Sequence, residues 1–261
     1  MKYLAYTKAR MKSECFYKFN LYSMIFSSLV IFFVEYALWK AVYNNKQNLS
    51  GLTFINMFSY IIFGHILRKF LGEGVDEVIG QQYRDGSIVV DMVKPISIVF
   101  KSFYDDLGRG IFQMIALAIP LIPILLLSNK AYIISPTRII VFLIMSFFAY
   151  VIYFIIGYIL GIISFWTQSN IGIYMIKTAC FGIFSGSFIP FDLYPQWLVK
   201  IANILPFKAT YYFPVSTIMK DYEYKSLLGL FTIQLFWIGI LIIILLFIKK
   251  QALKKLTVQG G

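Results

Sequence analysis

Long apolar runs, not alternation, set the pattern of this chain. Six of them, at 21–42, 52–70, 110–128, 139–165, 171–189 and 226–248, are long enough for a helix to cross a hydrocarbon core that needs roughly twenty residues. The expected fold is an all-α membrane protein with six transmembrane helices, and a single transmembrane domain accounts for residues 1–261.

Three stretches between the runs have characters of their own. Residues 1–20 mix basic positions with Tyr3, Leu4, Tyr6, Met11, Phe16, Tyr17 and Phe19, a composition suited to a helix lying in the membrane interface; a disordered basic tail is the alternative. In 72–109, Gly72 and Gly74 end the second run, 75–83 can form a short amphipathic helix, and Asp85-Gly86 is a turn signal. Lys94-Pro95 then breaks the chain ahead of the third run. The segment 190–225 is too apolar for a free loop, and Pro190, Pro195, Pro206 and Pro214 cut it into pieces of re-entrant or interfacial length. Irregular backbone at membrane depth persists only where protein or a watery cavity satisfies it, so this segment is expected to cap something on the outer side.

Composition removes a soluble fold from consideration. Hydrophobic residues make up 59% and charged residues 14% of the chain, and mean hydropathy is +0.75, where a soluble domain carries roughly a quarter charged residues. The net charge of +12 could indicate nucleic acid, but the lysines and arginines gather in loops and tails beside apolar runs. With the N-terminus inside, fifteen fall on the cytoplasmic side and seven outside, as the positive-inside rule requires. The expectation is a multi-pass protein of the bacterial cytoplasmic membrane with both termini cytoplasmic. The basic start lacks the small-residue cleavage site of a signal peptide and reads as retained. Cys15 and Cys180 stand far apart and indicate neither a disulfide framework nor a metal site.

No G-x-x-x-x-G-K-[ST] occurs, so any use of ATP must come from a partner. His65 has no second imidazole nearby and reads as a hydrogen-bonded structural residue, not a metal ligand. Ionisable residues inside apolar runs are expensive and point to function or pairing; Glu35 and Lys177 qualify, whereas Lys40 can snorkel to the interface. Gly157 with Gly161, and Gly182 with Gly186, give the G-x-x-x-G spacing that lets helix backbones approach closely.

Three stretches together resemble the membrane subunit of type-two ABC exporters, in the branch of short six-span permeases without a fused ATPase. GQQYRDGSIVVDMVKPIS, from Gly80 to Ser97, is similar to the family's cytoplasmic segment after the second span. FGIFSGSFIPFDLYPQWLVKIANILPFKATYYFPVSTI keeps the family's spacing of prolines and aromatics over nearly forty residues, and the tail KKLTVQGG resembles its usual ending. The first span, with Glu35, matches no part of the pattern.

The resemblance implies a pair of permease subunits, identical or homologous, joined to a cytoplasmic ABC ATPase dimer that holds ATP and Mg. This chain itself would bind no cofactor and no metal and catalyse nothing. It further implies that a coupling helix after the second span, carrying Glu73, Asp76, Glu77, Gln81, Tyr83 and Arg84, rests in a groove of the ATPase. A translocation path at the permease interface would involve Glu35 and an outer cap around Phe188, Phe191, Trp197 and Phe207. Aromatic enrichment favours an apolar or amphipathic cargo, such as a drug, lipid or peptide. Other classes are an ATP-independent protein, such as an immunity protein, and a membrane-embedded enzyme. The enzyme would need clustered Glu, His or Asp in the spans, which hold almost none.

Overall fold

A computed structural model describes residues 3–44, 48–72, 74–128, 135–167 and 170–259. Of the positions singled out above, Glu73 and the final Gly260-Gly261 lie outside the described residues. The chain folds as an all-α protein. In order, the helices are α1 (Leu4–Phe16), α2 (Lys18–Tyr43), α3 (Phe54–Leu71), α4 (Val75–Arg84), α5 (Ile88–Met92), α6 (Ile98–Leu127), α7 (Pro136–Thr167), α8 (Asn170–Phe184), α9 (Gln196–Asn203), α10 (Phe207–Thr210), α11 (Tyr212–Met219) and α12 (Tyr224–Gln259). Two short strands, Asn48–Leu49 and Leu52–Thr53, form a hairpin before α3. Its turn residues Ser50 and Gly51 both take positive φ, the conformation that matches strand twist in a two-residue turn. The Tyr43 hydroxyl donates to Leu52 O at 3.1 Å, tying the hairpin to the end of α2.

Each apolar run of the sequence is largely helical, though the second begins in the strand Leu52–Thr53 and the fifth leaves the helix after Phe184, and the helices are not equivalent. Among the described residues four are long and apolar enough to cross a membrane: α2, α6, and the parts of α7 and α12 at Pro136–Ser164 and Tyr224–Ala252. Helix α3 differs because protein surrounds it: every residue from Met57 to Leu67 is buried. That enclosure is why it tolerates Asn56, His65 and Arg68 among its apolar residues. At 15 residues, α8 is about 22 Å long at 1.5 Å per residue, short of a hydrocarbon core of about 30 Å.

Beyond α8 the chain turns at Gly186, φ +84°, and its backbone polar groups find partners within the protein. Tyr212 N–H donates to Ser185 O at 3.2 Å, the Tyr60 hydroxyl to Gly186 O at 2.6 Å, and Arg68 Nη2 to Ser187 O at 3.0 Å. Three successive carbonyls outside a helix are thus each satisfied by the fold, as non-helical backbone shielded from water must be. The prolines then act as starters. Pro190, Pro195 and Pro206 stand immediately before the 3₁₀ turn Phe191–Leu193, α9 and α10, where a missing N–H is harmless and φ is preset.

The cytoplasm-facing expectation for 1–20 becomes a helix followed, after Tyr17, directly by α2, and α1 packs along the first half of α6. Thr7 Oγ1 donates to Tyr104 O at 2.7 Å, Ser97 N–H donates to the Tyr3 hydroxyl at 3.0 Å, and the Tyr3 ring stacks on Tyr104. Contact depends on Gly108, where a Cβ would lie 2.5 Å from Thr7 O. Gly108→Val is therefore expected to push α1 off α6 at a cost of about 1–3 kcal/mol. Limited trypsin digestion at Lys8, Arg10 and Lys12 reads the release, with cleavage faster by about five- to a hundredfold.

Candidate functional site

Helix α4 is short, yet the fold buries four of its residues. It lies across α7 where Gly157 and Gly161 leave room: a Cβ on Gly161 would come within 2.9 Å of both Asp76 O and Ile79 Cβ. The G-x-x-x-G spacing thus seats this helix rather than a second long one. Asp76, Ile79, Gly80 and Tyr83, at i, i+3, i+4 and i+7, form the buried face, as helical periodicity dictates. Burial pushes the Tyr83 hydroxyl up to about 12.

Asp76 is the anchor of that face. Lys177 of α8 donates to Asp76 Oδ1 at 2.5 Å, with both side chains almost wholly buried, at 2% and 4% exposure. The ammonium also sits 5.2 Å from the Tyr153 ring centroid and 5.5 Å from that of Tyr174, where aromatic faces stabilise a cation. Lys177 was legible as an ionisable residue in an apolar run; its partner, 101 residues away, was not.

Tyr153 and Tyr174 line a cavity of about 130 Å³ together with Arg68, Phe181, Gly182 and Phe188. A continuous chain of contacts therefore runs from α4 through Asp76, Lys177 and two tyrosines to a cavity bounded by α3, α7 and α8. Arg68, Tyr153 and Tyr174 were not singled out for this role from the sequence, because nothing in their spacing reveals that they meet.

The outward face of α4 carries Glu77, Val78, Gln81 and Arg84, all exposed. Beyond it Val89, Val90 and Val93 are also exposed, at 51%, 65% and 82%. The proposed coupling set is thus divided by the fold: Glu77, Gln81 and Arg84 present themselves outward, whereas Asp76 and Tyr83 face the protein. Charge reversal at Asp76 would perturb the fold as well as any docking face. The loop after α4 is clamped by Asp91, which accepts from Lys101 at 2.6 Å and Lys94 at 2.7 Å; those two bonds hold its carboxyl below the usual carboxylate range.

The residues expected to form a path and outer cap do not gather at one point. The Phe188 ring is 63% exposed and rests over Gly182, where a Cβ would lie 2.4 Å away. Phe191 is buried in a knot with Tyr212 at 5.2 Å and Tyr194 at 4.8 Å between centroids, beneath Lys208 Nζ at 4.9 Å. Asp192 closes the knot by pairing with Lys220 and accepting from the Tyr212 hydroxyl at 2.9 Å. Trp197 stands exposed on α9, and Phe207 stacks with Phe184 at 6.5 Å. Glu35 of α2 meets His65 of α3 at 3.1 Å, Oε2 to Nε2, so the pairing alternative for Glu35 is realised and His65 is hydrogen-bonded.

A family model described as ABC-2 family transporter protein matches residues 29–260. No curated protein and no solved structure matches the chain.

Proposed function

The chain belongs to the ABC-2 family of transporter proteins, and from that premise we propose that it is the permease subunit of an ATP-driven exporter, moved through the outward face of α4. Such permeases are membrane-embedded transport components that work with an ABC ATPase. The observation that carries the proposal is the two-faced character of α4. One face is locked to α7 and α8 by Gly161 and the Asp76–Lys177 pair, while the other offers Glu77, Gln81 and Arg84 beside exposed valines. Apolar side chains exposed next to charged ones are what a docking surface needs.

In this proposal α2, α3, α6, α7 and α12 cross the bacterial cytoplasmic membrane, α8 makes the sixth crossing together with the non-helical residues that follow it, and both termini are cytoplasmic. Helix α1 lies in the inner interface, and the segment 190–225 re-enters from the outside. Two permease subunits, identical or homologous, flank the path. ATP and Mg reside on the partner, whose closure on nucleotide pulls α4. A partner shifts a conformational equilibrium only through differential affinity for its states. The buried pair provides that difference, because α4 cannot move without carrying Lys177, the two tyrosines and the cavity wall. The aromatic enrichment of the chain favours apolar or amphipathic cargo.

Two measurements test the proposal. Affinity purification of the full chain from its native membrane is expected to bring down an ABC ATPase in near-equal amount, and its consistent absence would overturn the assignment. Gln81→Cys, with Cys15 and Cys180 replaced by Ser, is expected to react with a membrane-impermeant maleimide only from the cytoplasmic side. Labelling from outside would reverse the topology and remove α4 from the ATPase's reach.

A further inference from the structure

The first turns of α2, the end of α3 and the middle of α6 enclose a second cleft, of about 150 Å³, lined by Met24, Arg68, Lys69, Gly72, Arg109 and Gln113. Three of those six residues are cations and none is a carboxylate. Arg109 spends one edge of its guanidinium on Asp106, while its Nε–H is buried with no hydrogen-bond partner among the described residues. Arg109 lines the cleft with Arg68 and Lys69, and two guanidinium groups and an ammonium gathered with no carboxylate in the lining fit a site whose acceptor arrives from elsewhere. Asp106 is already engaged, by Arg109 and by the Tyr150 hydroxyl at 3.1 Å.

The surroundings define what that acceptor belongs to. The two helices flanking the cleft expose apolar side chains nearby: Tyr22 and Phe26 on α2, at 66% and 71%, and Ile115 and Ile119 on α6, at 47% and 68%. A cationic recess at the foot of two apolar helix faces places positive charge at head-group depth with hydrocarbon-compatible surface beside it. Its volume is below the roughly 300–1,000 Å³ of drug-sized pockets, which suits a head group more than a whole amphiphile. Guanidinium forks match phosphate oxygens in geometry, and the excess of cations selects net negative charge.

We propose that the phosphate of an anionic phospholipid binds in this cleft, held by Arg68, Lys69 and Arg109, with its acyl chains along the apolar faces of α2 and α6. The site rests on the membrane placement of those two helices given above. Because Arg68 also holds the carbonyl of Ser187 and Gly72 begins the elbow into α4, the lipid would brace the elbow from which the coupling helix projects.

The full chain, purified in detergent and washed free of lipid, is to be compared by native mass spectrometry with phosphatidylglycerol, phosphatidylcholine and inorganic phosphate. Phosphatidylglycerol is expected to be retained at least about fivefold better than phosphatidylcholine. Lys69→Gln is expected to lower that retention about fivefold, one surface cation's contribution, while Lys69→Arg preserves it. Gln113→Leu, which leaves every cation in place, serves as a second variant and is expected to weaken retention several-fold through loss of a hydrogen bond to a charged group. Equal retention of the two lipids would overturn the proposal. So would unchanged retention in both Lys69→Gln and Gln113→Leu, or inorganic phosphate competing at the same concentration as the lipid. Binding in detergent is blind to sidedness and to the ATPase, so the site can fail while the permease function stands, and the reverse.

Discussion

Lys177→Ala is expected to cost the protein about 3–5 kcal/mol, because removing one partner of a buried pair strands the other charge. That is a large share of the roughly 5–15 kcal/mol by which folded domains exceed their unfolded state. The variant should lose most of its heat-stable, monodisperse fraction in detergent. Asp76 has 4% exposure and no water to turn to. The double variant Asp76→Leu/Lys177→Met is expected to recover most of the stability, since apolar groups of similar volume can replace a buried ion pair at little cost. Coupling should not recover with it. The rescued protein is expected to insert and fold while transport and cargo-stimulated ATP hydrolysis remain at background. Leucine and methionine pack but do not bind α4 to α8 with the directional, charge-assisted bond that carries motion. Full transport by the double variant would reduce the pair to a structural lock and move the linkage elsewhere.

The parts of this molecule that could be read from the sequence are those governed by local rules. Apolar length announced the helices, the glycines at 72 and 74 announced the break before α4, and Pro190, Pro195 and Pro206 announced the starts of short pieces between α8 and α12, whereas Pro214 sits inside α11. The helix expected over 75–83 forms as Val75–Arg84. Long-range pairing was hidden. Apolar content alone could not separate α3, which is enclosed by protein, from helices that face lipid. Nor could it show that α8 stops at Phe184, where Ser185, Gly186 and Ser187 turn the chain and hand their carbonyls to Tyr212, Tyr60 and Arg68. Gly157 and Gly161 signalled close approach but not the identity of the approaching helix. The family resemblance implied a coupling role for this segment without telling which of its residues face inward; only packing against α7 assigns Asp76 and Tyr83 to the protein and leaves Glu77, Gln81 and Arg84 outside.

That division makes a cleaner test of the docking face possible. Glu77→Lys/Arg84→Glu reverses both charges of the outward stripe while leaving net charge unchanged, so long-range attraction to a partner is preserved and only the local pattern is inverted. Each reversal sets a charge against the helix dipole and costs about 0.3–1 kcal/mol at an exposed helix end. The sum stays below the cost of disturbing Asp76, and the variant is expected to insert and fold with a melting temperature close to that of the parent. Binding is a different matter. Two central interface residues that each contribute about 2 kcal/mol or more together weaken association on the order of a thousandfold, and reversed charges add repulsion. The expected result is a stable permease that no longer co-purifies with an ATPase and no longer raises its hydrolysis rate. Compensating reversals in the partner's groove should restore both. A doubly reversed permease that is stable and still drives its ATPase at the parental rate would mean that the grip lies elsewhere on the chain, with the valines at 89, 90 and 93 the next surface to alter.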